Sequence, residues 1–406
     1  MTAICFRSPR RRLGSLASAA IPLLALVLLM PAAPTSADVK LITLPVRERV
    51  EIQLDHPNVT LVEEERIVPL SAGVNDVVFA WTNTRIDPAS VQFRCLTDDV
   101  DIAVLSTSYP PNQTALTWQV AAAAPVSARV RISYLLGRLD KTHAYKAVAS
   151  HDESRLTLWQ YVRLHNQANE SFGEAGMTTR FGERIERPLG IDETRQLLVR
   201  PMNDVAVSKT YTADLAQYGY IDQGKRQLRV PMHYCIANDD ESGLGETPLP
   251  AGKIRIFQDD GRGTTAFIGE DVASFTPRDD EMNLYLGVAQ DIVVTRTIER
   301  VERIDRFGNL RDYDVVVKYE IENFKDQAVT LTLAESMNAL RGEAIGHTGR
   351  QPDWIILPGG SLRDMVMDRS TADRPVFTVD LPARHADTQE AKTITKTLAV
   401  RFRSEW

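Results

Sequence analysis

Apolar and polar residues alternate with a period of two along most of this chain, the pattern of strands with one buried face and one wet face. Val50, Ile52 and Leu54 alternate with Glu51 and Gln53. Val130, Ile132 and Tyr134 alternate with Arg129, Arg131 and Ser133. Leu228, Val230, Met232, Tyr234 and Ile236 form one face of a longer run, opposite Arg229, Pro231, His233 and Cys235. Tyr313, Val315, Val317, Tyr319 and Ile321 repeat the pattern, as do Leu398, Val400 and Phe402. Turn formers separate the runs, among them Ala72-Gly73, Asn323-Phe324-Lys325-Asp326 and Pro358-Gly359-Gly360. Helical periodicity is confined to short stretches around 213–220 and 334–340. Many short strands joined by turns predict an all-β protein of tandem antiparallel β-sandwiches with very little helix. Cuts near 150 and 295 divide it into an N-terminal β domain (38–150), a middle β domain (151–295) and a C-terminal β-sandwich (296–406). The last has the length of an immunoglobulin-like domain.

The first 37 residues break the pattern. Arg7, Arg10, Arg11 and Arg12 precede an apolar run from Leu16 to Met30, and Thr35-Ser36-Ala37 supplies small residues for cleavage. This is the layout of a signal peptide, with an apolar run too short to span a bilayer, and it predicts a mature chain beginning at Asp38. An uncleaved anchor is the alternative, disfavoured by Pro22, Pro31 and Pro34. Removal of four arginines and no acid takes the formal net charge from −7 to −11. An acidic chain without a basic block is a poor nucleic-acid binder. No second long apolar run occurs, so no membrane span is expected after cleavage. The reading is an exported protein of a bacterial periplasm or cell envelope.

Cys5 leaves with the leader, so Cys95 and Cys235 are the only partners for a disulfide. Export permits the bond, but sequence cannot show that their Cα atoms come within reach, and two buried thiols are the favoured reading.

Residues 244–263, LGETPLPAGKIRIFQDDGRG, concentrate glycine, acid and one Gly-Lys pair. A phosphate-binding loop needs a glycine where Thr247 stands and Ser or Thr where Ile254 stands. A dinucleotide fingerprint needs a helix, and Pro248 opens an extended segment instead. The acids at 239–241 and at 259–260 lack the alternate spacing of a calcium loop. Ile254 and Ile256 alternate with Lys253, Arg255 and Phe257, and Asp259-Asp260-Gly261-Arg262-Gly263 tolerates positive φ, so a β-hairpin is predicted.

Other candidate chemistry is thin. His233 and Cys235 share a strand face without a third ligand in view. None of the seven histidines (56, 143, 151, 165, 233, 347 and 385) sits in a metal-binding spacing. Gly359-Gly360-Ser361 is not a nucleophile elbow. Residues 151–154, His-Asp-Glu-Ser, suit a loop. Trp159 and Tyr161 share a strand face, a pair that lines a carbohydrate or peptide groove or, more commonly, fills a sheet core. No catalytic, cofactor-binding or metal-binding residue is assigned, and no cofactor is expected.

The run GLGETPLPAGKIRIFQDDGRGTTAFIGED, followed by FTPRDDEMNLYLGVAQDIVV, resembles the signature of an exported bacterial family of unknown function found in mucoidy-inhibitor-A-like proteins. The resemblance extends to residues 61–94, 128–175 and 315–337. Relatives tend to carry a tryptophan where this chain has Asp140-Lys141, and no heptad run matches the coiled coil of the longer members, so this is a short form. The resemblance implies an exported β-rich envelope protein and no reaction. The expected function is a non-catalytic binding or structural module with an envelope protein or polymer as partner. The alternative is a periplasmic hydrolase with a site assembled from loops at a domain junction, 238–263 being its best region.

Overall fold

The computed structural model describes residues 40–405 except 57, 99, 180–183, 347–350, 366–370, 372 and 385–389. The 1–37 leader, His347 and His385 lie outside the described residues.

The protein is all-β, built of sandwich-type layers, with no closed barrel among the described residues. Among the described residues, α-helix is limited to Leu215–Tyr218 and Met337–Ile345. Asp214 caps the first helix by accepting from the Ala216 and Gln217 amides, and Ser336 caps the second. Pairing is mostly antiparallel, but four strand pairs are parallel. Each parallel pair joins strands distant in sequence, which alternation within one strand cannot reveal.

Among the described residues, five sheets enclose three apolar cores. In the N-terminal core, a four-stranded sheet with Gly73–Ala80 and Ala115–Ala122 at its centre faces a six-stranded sheet centred on Thr60–Leu70 and Val126–Leu136. Phe79, Trp118 and Tyr134 meet between them, with Phe79 6.0 Å from Trp118 and 5.7 Å from Tyr134 by ring centroid.

The middle sheet has the order Thr194–Ala206, Arg155–Asn166, Leu139–Ala149, Gly252–Asp259, Thr265–Ala273. Its long strands serve two cores in turn. Val162, Leu164, Leu197 and Val199 pack in the N-terminal core, whereas Tyr145, Ala147, Leu156, Leu158 and Met202 pack in the middle core. Between these apolar stretches the same strands carry His143, Gln160 and Arg200, and Arg200 Nε donates to Gln160 Oε1 at 3.2 Å.

A bridging sheet closes the other side of the middle core with Pro231–Ala237 and Glu281–Val288. It continues through Ser208–Asp214 into Val329–Ala334 and Val376–Leu381, which close the C-terminal core. The apolar run from Leu228 to Ile236 is therefore shared. Leu228, Val230 and Met232 serve the C-terminal core, and Tyr234 and Ile236 the middle one. A bulge between Met232 and His233 marks the change.

The C-terminal core holds a buried ion cluster that reaches a partly exposed carboxylate, Glu343. Arg296 is fully buried and donates to Glu335 at 2.7 and 3.2 Å and to Glu343 at 2.7 Å. The Tyr319 hydroxyl donates to the same Glu335 carboxylate. A buried charge survives when its hydrogen-bonding capacity is met in this way.

Candidate functional site

Cys95 is half-buried beside the N-terminal core and Cys235 is buried in the bridging sheet. No disulfide joins them. His233 and Cys235 do not converge on a metal site, and no group of three ligands does so among the described residues. The His233 ring packs against Tyr285 at 5.6 Å, and Cys235 Sγ lies 2.8 Å from Asn283 Oδ1.

The glycine-rich stretch is structural, as the hairpin reading predicts. Gly252–Asp259 and Thr265–Ala273 are antiparallel neighbours joined by a turn with Gly261 and Gly263 at positive φ. Asp260 Oδ1 accepts from the amides of Arg262 and Thr264 at 2.8 and 3.0 Å. The preceding loop is tied by Asn238, which is fully buried. Its amide nitrogen faces the carbonyls of Thr247, Thr276 and Pro277 at 3.1, 3.3 and 2.8 Å, and its oxygen accepts from Gly245 at 3.1 Å. Gly359-Gly360-Ser361 is likewise a packed turn, with Ser361 Oγ accepting from the Thr397 amide at 2.8 Å.

The site sequence reasoning half saw lies on the outer face of the middle sheet. Alternation sends Ile254, Ile256 and Leu158 inward, and sends Trp159, Tyr161, Arg163, Lys253, Arg255 and Phe257 outward. The predicted strand pair Trp159 and Tyr161 is thus outside the core, each residue half-buried. Register sets the neighbours. Lys146 lies between Trp159 and Arg255, and Ala144 lies between Tyr161 and Lys253. The small Ala144, with Ala251 and Gly252 at the start of the next strand, leaves a trough of about 840 Å³ between taller side chains. Gly252 is needed there, because a Cβ would stand 2.4 Å from the His143 carbonyl oxygen.

The trough is cationic. Lys141, Lys146, Arg163, Lys253 and Arg255 line it, and among the described residues no acidic one does. Lys141 turns its amine away onto the Val59 carbonyl at 2.9 Å, and burial lowers its pKa. Lys253 and Arg255 share Glu270 at 2.7 and 2.9 Å, which holds that carboxylate below its usual range. Lys146 is held by rings instead, its ammonium 5.3 Å from the Trp159 centroid and 5.4 Å from that of Phe257. Such contacts contribute about 0.5–1 kcal/mol each when exposed. Among the described residues neither Lys146 nor Arg163 has an acidic partner. Phe267, 58% exposed, stacks edge-on against Phe257 and extends the aromatic surface. Lys146 and Arg163 escape sequence reasoning because they look like ordinary wet-face cations. Only the register beside Trp159 and Tyr161 sets them apart.

A second concavity, about 730 Å³, lies where the middle and C-terminal cores adjoin. Asp152, Glu153 and Asp380 line it, and Glu153, of the predicted 151–154 loop, accepts from Tyr234 Oη at 2.6 Å and Lys209 Nζ at 2.7 Å. Every carboxylate whose pKa departs clearly from its ordinary value is shifted down. Arg184 does this to Glu51, Arg131 to Glu65, and the Gly190 amide to Glu193.

No protein-family profile matches this chain, and no curated protein matches it either.

Proposed function

We propose that this chain is a non-catalytic binding module of an exported bacterial envelope protein, and that the outer face of the middle sheet is its binding surface. The observation that supports this most is a trough in which Lys146 and Arg163 have no acidic partner among the described residues, in a chain whose formal net charge is −7. Aromatic rings on the same face add apolar contact area, as at many recognition surfaces. Export rests on the layout of residues 1–37, and the envelope setting on the resemblance of residues 243–294 to mucoidy-inhibitor-A-like proteins. The partner is an envelope protein or polymer rather than nucleic acid. A hydrolase at the core junction has less support, because Glu153 there is engaged by Tyr234 and Lys209, Asp152 by Ser150 and Ser154, and Asp380 by Thr330.

The test is photocrosslinking of the mature 38–406 chain in intact envelopes, with the reactive group at Tyr161 or, as control, at Thr330. Capture at Tyr161 that disappears in a Lys146→Glu, Arg163→Glu variant supports the surface. Capture that ignores the variant, or that occurs only at Thr330, overturns it. A mature N-terminus at Asp38 supports export, and one at Met1 refutes it.

A further inference from the structure

The trough also carries information about the chemistry of its ligand. Two of its cations, Lys146 and Arg163, are without an acidic partner among the described residues, so they present positive charge with donors to spare. Tyr161 lies between them on the face, opposite Ala144 and one strand repeat, about 7 Å, from Arg163. The arrangement is a ring platform with a cation on either side, which suits a ligand that alternates apolar ring surface with negative charge. Arg163 offers a planar fork that matches a carboxylate.

Two other polyanions fit less well. A single-stranded nucleic acid binds by stacking bases on aromatic faces. Here the Lys146 ammonium already occupies the Trp159 and Phe257 rings, so bases would have to displace it. An extended peptide gains affinity from main-chain hydrogen bonds at a sheet edge. The trough lies over Leu139–Ala149, a central strand whose two sides are both paired, so it offers side chains alone. A glycan needs no backbone partner, and sugar rings present C–H faces to Tyr161.

We propose that the trough binds an acidic polysaccharide, a glycan whose sugar rings carry carboxylates. The proposal rests on the binding-surface reading above. The probe is polygalacturonate oligomers, titrated against the mature chain by calorimetry, with their methyl esters, neutral dextran, poly-glutamate and oligo-dT as comparators. Polyuronate is expected to bind and to weaken in about 0.5 M salt, where charge attraction is screened. Lys146→Gln and Arg163→Gln are each expected to weaken it about tenfold, the scale of one charge-assisted hydrogen bond. Tyr161→Ala should weaken both charged and residual neutral contact, with circular dichroism unchanged in all three variants. Equal binding of the methyl ester, tighter binding of poly-glutamate or oligo-dT, or indifference to all three substitutions overturns the proposal. If polyuronate fails while crosslinks still map to Tyr161, the glycan assignment falls and the surface stands. If the crosslinks vanish as well, both fall.

Discussion

Arg296 and Lys146 are both strand cations, and the protein treats them in opposite ways. Arg296 sits in the C-terminal core between two carboxylates, Glu335 and Glu343, the first of which also accepts from Tyr319. Lys146 sits on an open face between two rings. In the buried region the guanidinium makes three charge-assisted hydrogen bonds to Glu335 and Glu343, so the group specifies packing. In the open region the charge is positioned by soft ring contacts that leave its three N–H donors unspent. Position without saturation is what a binding group requires.

The largest expected effect breaks the buried side. Arg296→Met leaves Glu335 buried with a tyrosine alone, and should lower unfolding free energy by about 3–5 kcal/mol in urea denaturation. A loss under about 1 kcal/mol would show that water reaches the cluster. Next, Asn238→Ala removes a neutral sealed group and strands buried carbonyls. About 2 kcal/mol should be lost, with the 238–249 loop gaining hydrogen exchange. Smaller again is a pH effect. Burial lowers the pKa of His143, which lines the trough, and of His233, where Asp271 opposes the shift in part. A histidine depressed in the folded state takes up its proton first when unfolded. Stability is therefore fully present above the ordinary value of 6.5 and falls as pH drops below it. His143→Asn should flatten that slope in stability measured from pH 7 to pH 5. Smallest is Lys146→Met, which gives up ring contacts of about 0.5–1 kcal/mol and regains apolar cover. Thermal unfolding should scarcely move, whereas capture at the trough should fall. A large stability loss would place Lys146 with Arg296 rather than against it.

Much of the fold is legible because alternation is a local signal. Val315, Val317, Tyr319 and Ile321 are all buried, and the hairpin around Asp259–Gly263 forms where glycine and aspartate permit it. The short helices fall inside or beside the expected stretches, at 215–218 and 337–345. The site is less legible. Alternation says that Trp159 and Leu158 face opposite ways, but not which face a second sheet covers. The parallel insertion of Gly252–Asp259 beside Leu139–Ala149 joins segments more than a hundred residues apart, and this brings Lys253 and Phe257 to Tyr161 and Lys146. Similarly, the run from Leu228 to Ile236 looks like one strand face, but it breaks after Leu228, which pairs in a six-stranded C-terminal sheet, and resumes at Pro231 in the bridging sheet, where the register shifts after Met232.

Sharing strands between cores has a consequence for heredity and engineering alike. The Arg155–Asn166 strand begins in the middle core and ends in the N-terminal one, and the bridging sheet belongs to both the middle and C-terminal cores. A crossover, fusion or truncation placed between cores would cut through hydrogen-bonded strands instead of a linker. The three units can therefore be exchanged, copied or lost only together, and variation is channelled into side chains on the open face, where Lys146 and Tyr161 can change without disturbing the ladder beneath them.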